Sequence, residues 1–333
     1  MVEHDLSTSG DVIERMAEVA RAAIQEFEFG EGSTVELLNV SENATFLVRN
    51  NAGEKAILRV HRLGYHTTHE IESELDWMEA LRLEASVRTP KVFASIDGRR
   101  VVSIREPRMD NERQCVMFEF LDGDAPQEQD LESFEQLGSL TARMHQHARN
   151  WSMPKHFSRF HWDLDSAFGS NCRWGRWQDG LGVGIEEKRI LRRLEETLRN
   201  RLLLFGKSSD RYGLIHADTR LANLLVTPFG VSVIDFDDCG FSWYLYDLAT
   251  AVSFFEDSPQ VPELIDRWLQ GYRSVAVLPE EDEQEIWTFI LFRRLLLVAW
   301  IGSHGAAEIA QELGASYTVR SCELAERYLG DVR

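Results

Sequence analysis

The chain has 333 residues, of which 44% are hydrophobic and 10% aromatic, and it carries 55 acidic against 36 basic residues. This length predicts a large domain or two lobes, and the apolar content excludes a disordered protein. The formal charge of −19 disfavours nucleic acid and anionic membranes as partners, and it mildly favours a cationic substrate.

Three features predict a cytoplasmic location. The first residues, MVEHDLSTSGDV, are polar and acidic, unlike a secretory leader. The longest apolar run, from Ile286, is interrupted by Arg293 and Arg294, which favours a buried helix over a membrane span. Neither a zinc site nor a disulfide framework is indicated by the spacing of the four cysteines, which are Cys115, Cys172, Cys239 and Cys322.

The beginning of the chain predicts an amphipathic helix followed by an antiparallel sheet. Apolar residues recur at helical spacing over residues 11–27. Alternating apolar and polar residues then predict three strands, at residues 34–40, 45–49 and 55–60. In a nucleotide-binding lobe, the turn at residues 41–44 would offer its backbone N–H groups and the side chains of Ser41 and Asn43 to phosphates. Because this turn contains no glycine, an ordinary hairpin turn is the alternative interpretation.

A charged pair for phosphate binding is predicted from the third strand and the helix after it. Arg59 lies in the strand, and an arginine can bind two phosphate oxygens with its forked N–H groups. The segment THEIESELDWMEALRLE, residues 68–84, has helical spacing and places Glu74 on its inward face. Glu74 is therefore predicted to pair with Arg59 and hold it in place. An exposed strand arginine and a solvated helix glutamate are the alternatives.

The next segment predicts a hairpin and then a connecting strand. Residues 92–104 contain an Asp-Gly pair between apolar stretches, which is typical of a hairpin. The run CVMFEFLDG, residues 115–123, predicts a buried strand that ends in a turn. Glu119 and Leu121 lie in this run, where the strand would join a second lobe. A plain edge strand is the alternative.

The middle of the chain predicts two long helices, at residues 131–144 and 185–203, separated by an irregular aromatic segment. Tryptophans in this segment lie beside carboxylates, and such aromatic faces can hold an ammonium group by a cation–π attraction of about 1–2 kcal/mol. Packing of an irregular subdomain by the aromatic rings is the alternative. The candidate substrate residues here are Trp162, Asp163, Trp174 and Trp177.

One stretch in the second half, YGLIHADTRLANLLVTPFGVSVIDFDD, residues 212–238, carries the strongest chemical signal. Residues 224–226 and 231–234 predict two short strands joined by a turn with Pro and Gly. Oxygen ligands suit Mg²⁺, which keeps several waters and shares its remaining positions with substrate phosphates. The hairpin would bring together three oxygen-bearing side chains, those of Asp218, Asn223 and Asp235.

The spacing His-x-Asp-x4-Asn, followed by a strand that ends in Asp-Phe, resembles the catalytic pattern of kinases. By this resemblance, Asp218 would orient the acceptor hydroxyl group and take its proton. Asn223 and Asp235 would hold the metal ion. His216 would support the loop, and Arg220 would reach the transferring phosphate. A buried polar hairpin whose carboxylates cap turns is the alternative.

Helical patterns fill the rest of the chain. Asp247 is predicted to cap the N-terminus of a helix, and support of the loop around Asp218 is compatible with that role. Asp237 and Trp243 complete the candidate substrate residues. The predicted helices lie at residues 261–272, 283–301 and 306–329.

As a whole, the chain resembles the aminoglycoside phosphotransferase and choline/homoserine kinase superfamily. The motifs HADTRLANLL, VSVIDFDD and YDLA carry the resemblance, and AILRVHR, IESELDWMEAL and GSLTARMHQHA support it over nearly the whole chain. It implies a two-lobed protein-kinase-like fold of the α+β class. In such a fold the run at residues 115–123 would connect the lobes and contact adenine through its backbone, with Glu119 and Leu121 at the nucleotide. An N-terminal lobe with an antiparallel sheet and a helix is expected at residues 1–120, and a mostly α-helical lobe at residues 121–333. ATP or GTP and Mg²⁺ are the implied cofactors.

The predicted function is transfer of the γ-phosphoryl group of ATP to a hydroxyl group of a small amino alcohol, sugar or aminoglycoside-like molecule. Two alternatives stay open: a protein Ser/Thr kinase on the same scaffold, and a nucleotide-binding protein without kinase activity. Arg59 replaces the usual strand lysine of the family, and Arg220 stands where histidine is common. The first departure puts the nucleotide affinity in doubt. The sequence does not identify the phosphoryl acceptor or the oligomeric state.

Overall fold

The computed structural model describes residues 10–29, 32–40, 43–170, 172–227, 230–305 and 307–332. The chain divides into two units. The first comprises Met1–Ala80, Thr89–Asp122 and Met153–Ser158, and the second comprises Leu81–Arg88, Gly123–Ser152 and Arg159–Arg333. The division expected after residue 120 lies close to the end of the first unit's main part. The sequence pattern did not predict that Leu81–Arg88 belongs to the second unit or that Met153–Ser158 belongs to the first.

The first unit is built on a six-stranded antiparallel sheet. The strand order is β1-β2-β3-β6-β4, and β5 also pairs with β6. Strands β1 to β3 and helix α2 lie within one residue of their predicted bounds. In chain order the elements are α1 (Gly10–Ala23), β1 (Thr34–Val40), β2 (Ala44–Arg49), β3 (Lys55–Val60), α2 (Thr68–Glu84), β4 (Val92–Phe93), β5 (Val102–Arg105) and β6 (Glu112–Glu119).

Helix α1 packs its apolar stripe against this sheet. The buried residues of the helix recur at three- and four-residue spacing, as an amphipathic helix requires. They share a core with sheet residues that include Phe46, Leu58 and Met117. The regular helix ends at Ala23 and a short 3₁₀ turn continues to Glu26, so the predicted helix over residues 11–27 is longer than the observed one.

The predicted hairpin at residues 92–104 is wrong in its pairing. The turn itself forms, with the N–H of Ser95 donating to the carbonyl oxygen of Arg99 at 2.8 Å and with Gly98 at φ +85°. The flanking strands do not pair with each other, because β4 pairs with Met117 and Phe118 of β6 while β5 pairs with the earlier part of β6. The long strand β6 thus pairs with both short strands, β4 and β5, along one of its edges.

The second unit is mostly helical, with two two-stranded antiparallel sheets. Strand β7 pairs with β10, and β8 pairs with β9. In chain order its elements are α3 (Leu131–Asn150), α4 (Leu164–Phe168), α5 (Ile185–Phe205), β7 (Tyr212–Ile215), β8 (Leu224–Thr227), β9 (Gly230–Val233), β10 (Gly240–Trp243), α6 (Leu245–Ala251), α7 (Val261–Arg273), α8 (Glu280–Glu283), α9 (Ile286–Ser303) and α10 (Glu308–Asp331).

Helix α9 is the central helix of the second unit. It packs against α5, α6 and α10, so it is apolar around its whole circumference rather than along one stripe. Among the described residues, the segment Glu280–Ser303 is long and apolar enough to cross a membrane, and 83% of its window is buried inside the protein. A helix buried to this extent lies in the protein core, and the sequence also predicts a buried helix here.

Helices α3 and α7 approach each other closely because glycines lie at their contact. A Cβ atom on Gly271 of α7 would overlap the carbonyl oxygen of Glu135, and one on Gly138 of α3 would overlap the carbonyl oxygen of Trp268. Backbone atoms cannot move aside as side chains do, so any larger residue must push the helices apart.

We expect Gly271→Ala to lower the free energy of unfolding by about 1–3 kcal/mol, the usual cost of overpacking a core. Urea denaturation measures this change. Gly330→Ala is the matched control, because Gly330 also lies in a helix but a methyl group added there would meet no other group within 4 Å. Alanine there should be neutral or stabilise by up to about 1 kcal/mol. Equal effects of the two substitutions would contradict the packing argument.

Candidate active site

Two small sheets of the second unit position the loop at residues 216–223, which is named the catalytic loop after the role predicted for Asp218. The loop leaves the end of β7, which is paired with β10, and it closes in a 3₁₀ turn at Leu221–Asn223. The hairpin of β8 and β9 follows. The N–H of Ile234 donates to the carbonyl oxygen of Asn223 at 2.9 Å. Asp235, the next residue, is thereby placed beside the end of the loop.

Asp218 is almost buried, with 9% of its surface exposed. Its Oδ1 accepts a hydrogen bond from Nη2 of Arg293 at 2.7 Å. Its Oδ2 accepts from Nδ2 of Asn223 at 2.7 Å and from Nε of Arg220 at 3.1 Å. Burial by itself would raise the pKa of Asp218, but the guanidinium groups of Arg220 and Arg293 outweigh it and hold the pKa below its usual value. The carboxylate of Asp218 is therefore ionised, and both of its oxygens accept hydrogen bonds.

His216 is fully buried and joins the catalytic loop to the end of β9. The N–H of Asp218 donates to its Nδ1 at 3.2 Å. The ring proton therefore lies on Nε2, which donates to the carbonyl oxygen of Ile234 at 3.2 Å. Burial lowers the pKa of His216 against the opposing effect of Asp247, which favours the neutral ring that these two bonds require.

Asp247 supports the loop from helix α6. The prediction that Asp247 is an N-cap is wrong, because the helix begins at Leu245 and Asp247 lies inside its first turn. The carboxylate accepts from the N–H of Ala217 at 2.7 Å and from the N–H of His216 at 3.3 Å. Ala217 has φ +65°, a left-handed conformation that a residue with a Cβ seldom adopts. The bond to Asp247 holds it there.

His145 of α3 bonds to the same carboxylate. Its Nε2 lies 3.0 Å from Oδ2 of Asp247, and its Nδ1 lies 3.1 Å from the hydroxyl oxygen of Tyr272. A carboxylate can only accept, so Nε2 is the donor and Nδ1 accepts from Tyr272. Burial lowers the pKa of His145, although Asp247 opposes this effect, and the neutral ring is favoured. The loop is thus connected through Asp247 to two further helices.

The side chains at the end of the loop fit a hard divalent cation. Asn223 uses its Nδ2 group on Asp218, which leaves its amide oxygen as the ligand atom. Asp235 is exposed and has φ +60°. Among the described residues no group of three or more His, Cys, Asp or Glu side chains is arranged to hold a metal. An ion bound by Asn223 and Asp235 would take its remaining ligands from water and phosphate, as Mg²⁺ does.

In the first unit, Arg59 and Glu74 form a buried ion pair. Nη1 of Arg59 lies 2.8 Å and 3.1 Å from the two carboxylate oxygens of Glu74. The side chains are 8% and 0% exposed. The guanidinium group also lies 4.8 Å from the ring centre of Phe118. The strand and the helix place the pair as the sequence pattern indicates, and its role in nucleotide binding stays a prediction.

Two of the other predicted nucleotide residues, Asn43 and Glu119, accept hydrogen bonds from backbone N–H groups. Asn43 is buried, and its Oδ1 accepts from the N–H of Arg62 at 3.0 Å. Glu119 accepts from the N–H of Lys91 at 3.2 Å. Leu121 is buried at the end of the connecting segment. Ser41 lies outside the described residues.

The faces of two candidate substrate tryptophans are covered by arginines of the protein. Trp162 is fully buried and donates from Nε1 to the carbonyl oxygen of Asp238 at 2.8 Å. The guanidinium carbon of Arg173 lies 5.5 Å from its ring centre. For Trp174 the cation is Arg293, at 4.9 Å. Cation–π contacts are therefore present at both tryptophans, but the cations are arginine side chains of the protein and not a substrate ammonium group.

The remaining candidates also have internal partners. Trp177 donates to Glu195 at 2.7 Å, and Trp243 donates to the carbonyl oxygen of Gly206 at 2.6 Å. Asp163 caps helix α4 and pairs with Lys207 at 2.6 Å. These contacts are those of packing and capping residues, and none of them supports a substrate contact. Asp237 is buried, and its carbonyl oxygen accepts from the guanidinium group of Arg159. All six stay predictions.

The contact of Arg293 with Asp218 was not predicted from the sequence. Only one signal was available: Arg293 is a charged residue in a helix that is apolar on every side. A helix of this composition is expected to be buried, and a buried arginine needs hydrogen-bond acceptors. The sequence could therefore have predicted a partner, but not that the partner is Asp218.

We expect Asp247→Ala to leave the N–H groups of Ala217 and His216 without an acceptor and to lower the free energy of unfolding by about 1–3 kcal/mol or more. Hydrogen exchange should become faster in the peptide that contains the catalytic loop. Asp282→Ala is the matched control, because Asp282 is also a buried aspartate of the second unit but pairs with Arg211. If both variants lost hydrogen-exchange protection selectively in the loop, the supporting role of Asp247 would be contradicted.

Comparison with known proteins gives one family and close structural relatives. The profile described as the phosphotransferase enzyme family matches residues 34–283. The microcompartment-associated aminopropanol kinase is 47% identical in sequence, and the match covers 94% of this chain and 98% of that chain with a TM-score of 0.87. An amicoumacin kinase in complex with AMP-PNP, Ca²⁺ and Ami is 21% identical over 97% of this chain and 96% of its own, with a TM-score of 0.76.

A curated relative is the amicoumacin kinase of Bacillus subtilis, which is 24% identical over 229 residues. The match covers 65% of this chain and spans 64% of that protein, slightly less than two thirds of its length. The structural likenesses confirm the predicted α+β, kinase-like fold with an N-terminal antiparallel sheet.

Proposed function

The chain belongs to the phosphotransferase enzyme family, and we propose that it is a kinase that transfers the γ-phosphoryl group of ATP to the hydroxyl group of a small amino alcohol. The observation that carries the proposal is the contact of Asp218 with Asn223 at 2.7 Å, which joins the candidate acceptor-binding residue to a candidate metal ligand. The similarity to the aminopropanol kinase supports an amino alcohol rather than a protein as the acceptor.

In the proposed reaction, Asp218 accepts a hydrogen bond from the acceptor hydroxyl group and directs its oxygen towards the γ-phosphorus. This oxygen bonds to phosphorus while the bond from phosphorus to the β,γ-bridging oxygen breaks, and ADP leaves. The hydroxyl proton passes to Asp218 and then to solvent. Arg220, whose side chain is 29% exposed, can approach the transferring phosphoryl group. The rate enhancement comes mainly from positioning and charge neutralisation.

The nucleotide is assigned to the residues that the sequence predicts for it. Arg59, held by Glu74, would bind phosphate oxygens, and Glu119 and Leu121 would lie near the base. Mg²⁺, held by Asn223 and Asp235, would neutralise charge on the β- and γ-phosphates. ATP is the proposed phosphoryl donor, and GTP should be assayed in parallel with it.

A cationic acceptor is favoured by the charge of the chain. The formal net charge is −19, and an excess of this sign raises the local concentration of cations. Asp237, buried in the turn after Asp235, is our candidate for the ammonium group. We also infer a reducing, cytoplasmic location from the four cysteines, which are free thiols.

We expect Mg²⁺-dependent release of ADP when ATP is mixed with one member of a panel of aminopropanol, ethanolamine, choline, sugars and aminoglycosides. Asp218→Ala should lower kcat by about 10²–10⁴-fold, because the acceptor loses its orienting base. The exposed Asp210→Ala is the control and should keep the activity. Transfer to protein serine or threonine alone would support a protein kinase instead. Nucleotide binding without any transfer would support an inactive nucleotide-binding protein.

Removal of the metal tests its assignment without any turnover. Calorimetry should show that Mg²⁺ strengthens ATP binding to the wild-type protein and that EDTA abolishes this gain. We expect Asp235→Ala to lose the Mg²⁺-dependent part of the affinity, because a carboxylate ligand has been removed. Asp210→Ala should retain it. An unchanged response of Asp235→Ala to Mg²⁺ would refute the metal assignment.

A further inference from the structure

Arg293 is the first residue of a buried Arg-Arg pair in the middle of the apolar helix α9. Its side chain is 2% exposed. A guanidinium group in such surroundings is strongly destabilising unless its N–H groups are bonded to acceptors. Packing alone gives no reason to place a cation here, since the neighbouring positions of α9 other than Arg294 are apolar and buried.

The guanidinium group of Arg293 is bonded in three directions. Nη2 donates to Oδ1 of Asp218 at 2.7 Å, Nη1 donates to the hydroxyl oxygen of Tyr246 at 3.2 Å, and Nε donates to Oγ of Ser253 at 3.2 Å. The guanidinium carbon also lies 4.9 Å from the ring centre of Trp174. A planar group held in this way cannot rotate, and neither can the carboxylate oxygen it binds.

Resting on the proposed role of Asp218 in phosphoryl transfer, we propose that Arg293 is a positioning residue for this reaction: it fixes the carboxylate of Asp218 in the orientation that receives the acceptor hydroxyl group. Arg293 holds Oδ1 while Asn223 holds Oδ2 at 2.7 Å, so the two bonds together define the carboxylate plane. Arg220 cannot replace Arg293, because it binds the other oxygen and its side chain is 29% exposed.

The same geometry excludes one way of binding substrate. Because the guanidinium group of Arg293 covers Trp174, an acceptor ammonium group cannot take that face of the indole ring. Lysine at position 293 would keep the charge but could not reach three acceptors in fixed directions. Full positioning of Asp218 therefore needs the shape of arginine, and the charge alone would give only part of the effect.

Arg294 provides a matched comparison within the same helix. Its side chain is 1% exposed, and Nη1 lies 2.5 Å from Oε2 of Glu256 and 3.2 Å from Oδ1 of Asp257. Arg294 is as buried and as firmly paired as Arg293, but these partners lie outside the catalytic loop. A purely structural role for Arg293 predicts that the two arginines behave alike when substituted.

The test compares Arg293→Met, Arg293→Lys and Arg294→Met. In Arg293→Met we expect kcat to fall on the order of 10²-fold, the effect of misplacing a catalytic group, while the KM for ATP stays unchanged. Arg293→Lys should recover part of kcat. Arg294→Met should lower the Tm but leave kcat unchanged at a temperature where it is folded. Equal kcat values for the two Met variants would overturn the proposal.

A second measurement separates this proposal from the proposed function. In a crystal structure of Arg293→Met, or of Arg293→Lys if the first variant does not fold, we expect the carboxylate of Asp218 to be rotated away from its orientation in the wild type. An unchanged orientation would overturn the positioning role. Absence of turnover by the wild-type protein with every amino alcohol would refute the proposed function instead, and it would leave this structural comparison valid.

Discussion

The position of Asp218 depends on a hydrogen bond between the carboxylate of Asp247 and the backbone N–H of Ala217. Ala217 has a left-handed backbone conformation that costs a residue with a Cβ about 1–2 kcal/mol, and Asp247 accepts its N–H at 2.7 Å across 30 residues of sequence. His145 donates to the same carboxylate from another helix. Helices α3 and α6 therefore stabilise the shape of the catalytic loop, in addition to the hydrogen bonds that Asp218 makes with His216 and Asn223 inside it.

Arginine side chains cover the rings of two tryptophans in the second unit. Arg293 lies over Trp174, and Arg173 lies over Trp162. A composition rich in tryptophan and carboxylates suggests a binding site for a foreign cation, yet the chain supplies these cations itself. A cationic substrate and its contact with Asp237 stay part of the proposed function.

The buried pair of Arg59 and Glu74 in the first unit has a different physical meaning. Desolvation of two charges offsets most of their attraction, so a buried ion pair contributes little to stability by itself. Loss of one partner would leave an uncompensated charge that is 8% or less exposed. The pair fixes the direction of the Arg59 guanidinium group, and the proposed use of this fixed cation is to hold nucleotide phosphates.

The sequence by itself determined the family, the bounds of β1, β2, β3 and α2 to within one residue, and the candidate site residues Asp218, Asn223 and Asp235. These are local properties, because hydrophobic period and motif spacing are carried by consecutive residues. The tertiary structure alone decided the pairing of β4 and β5 with β6, the hydrogen bond from the N–H of Ala217 through which Asp247 supports the loop, and the contact of Arg293 with Asp218. Each of these joins residues far apart in the chain, and such contacts depend on packing, which leaves no periodic signal in one sequence.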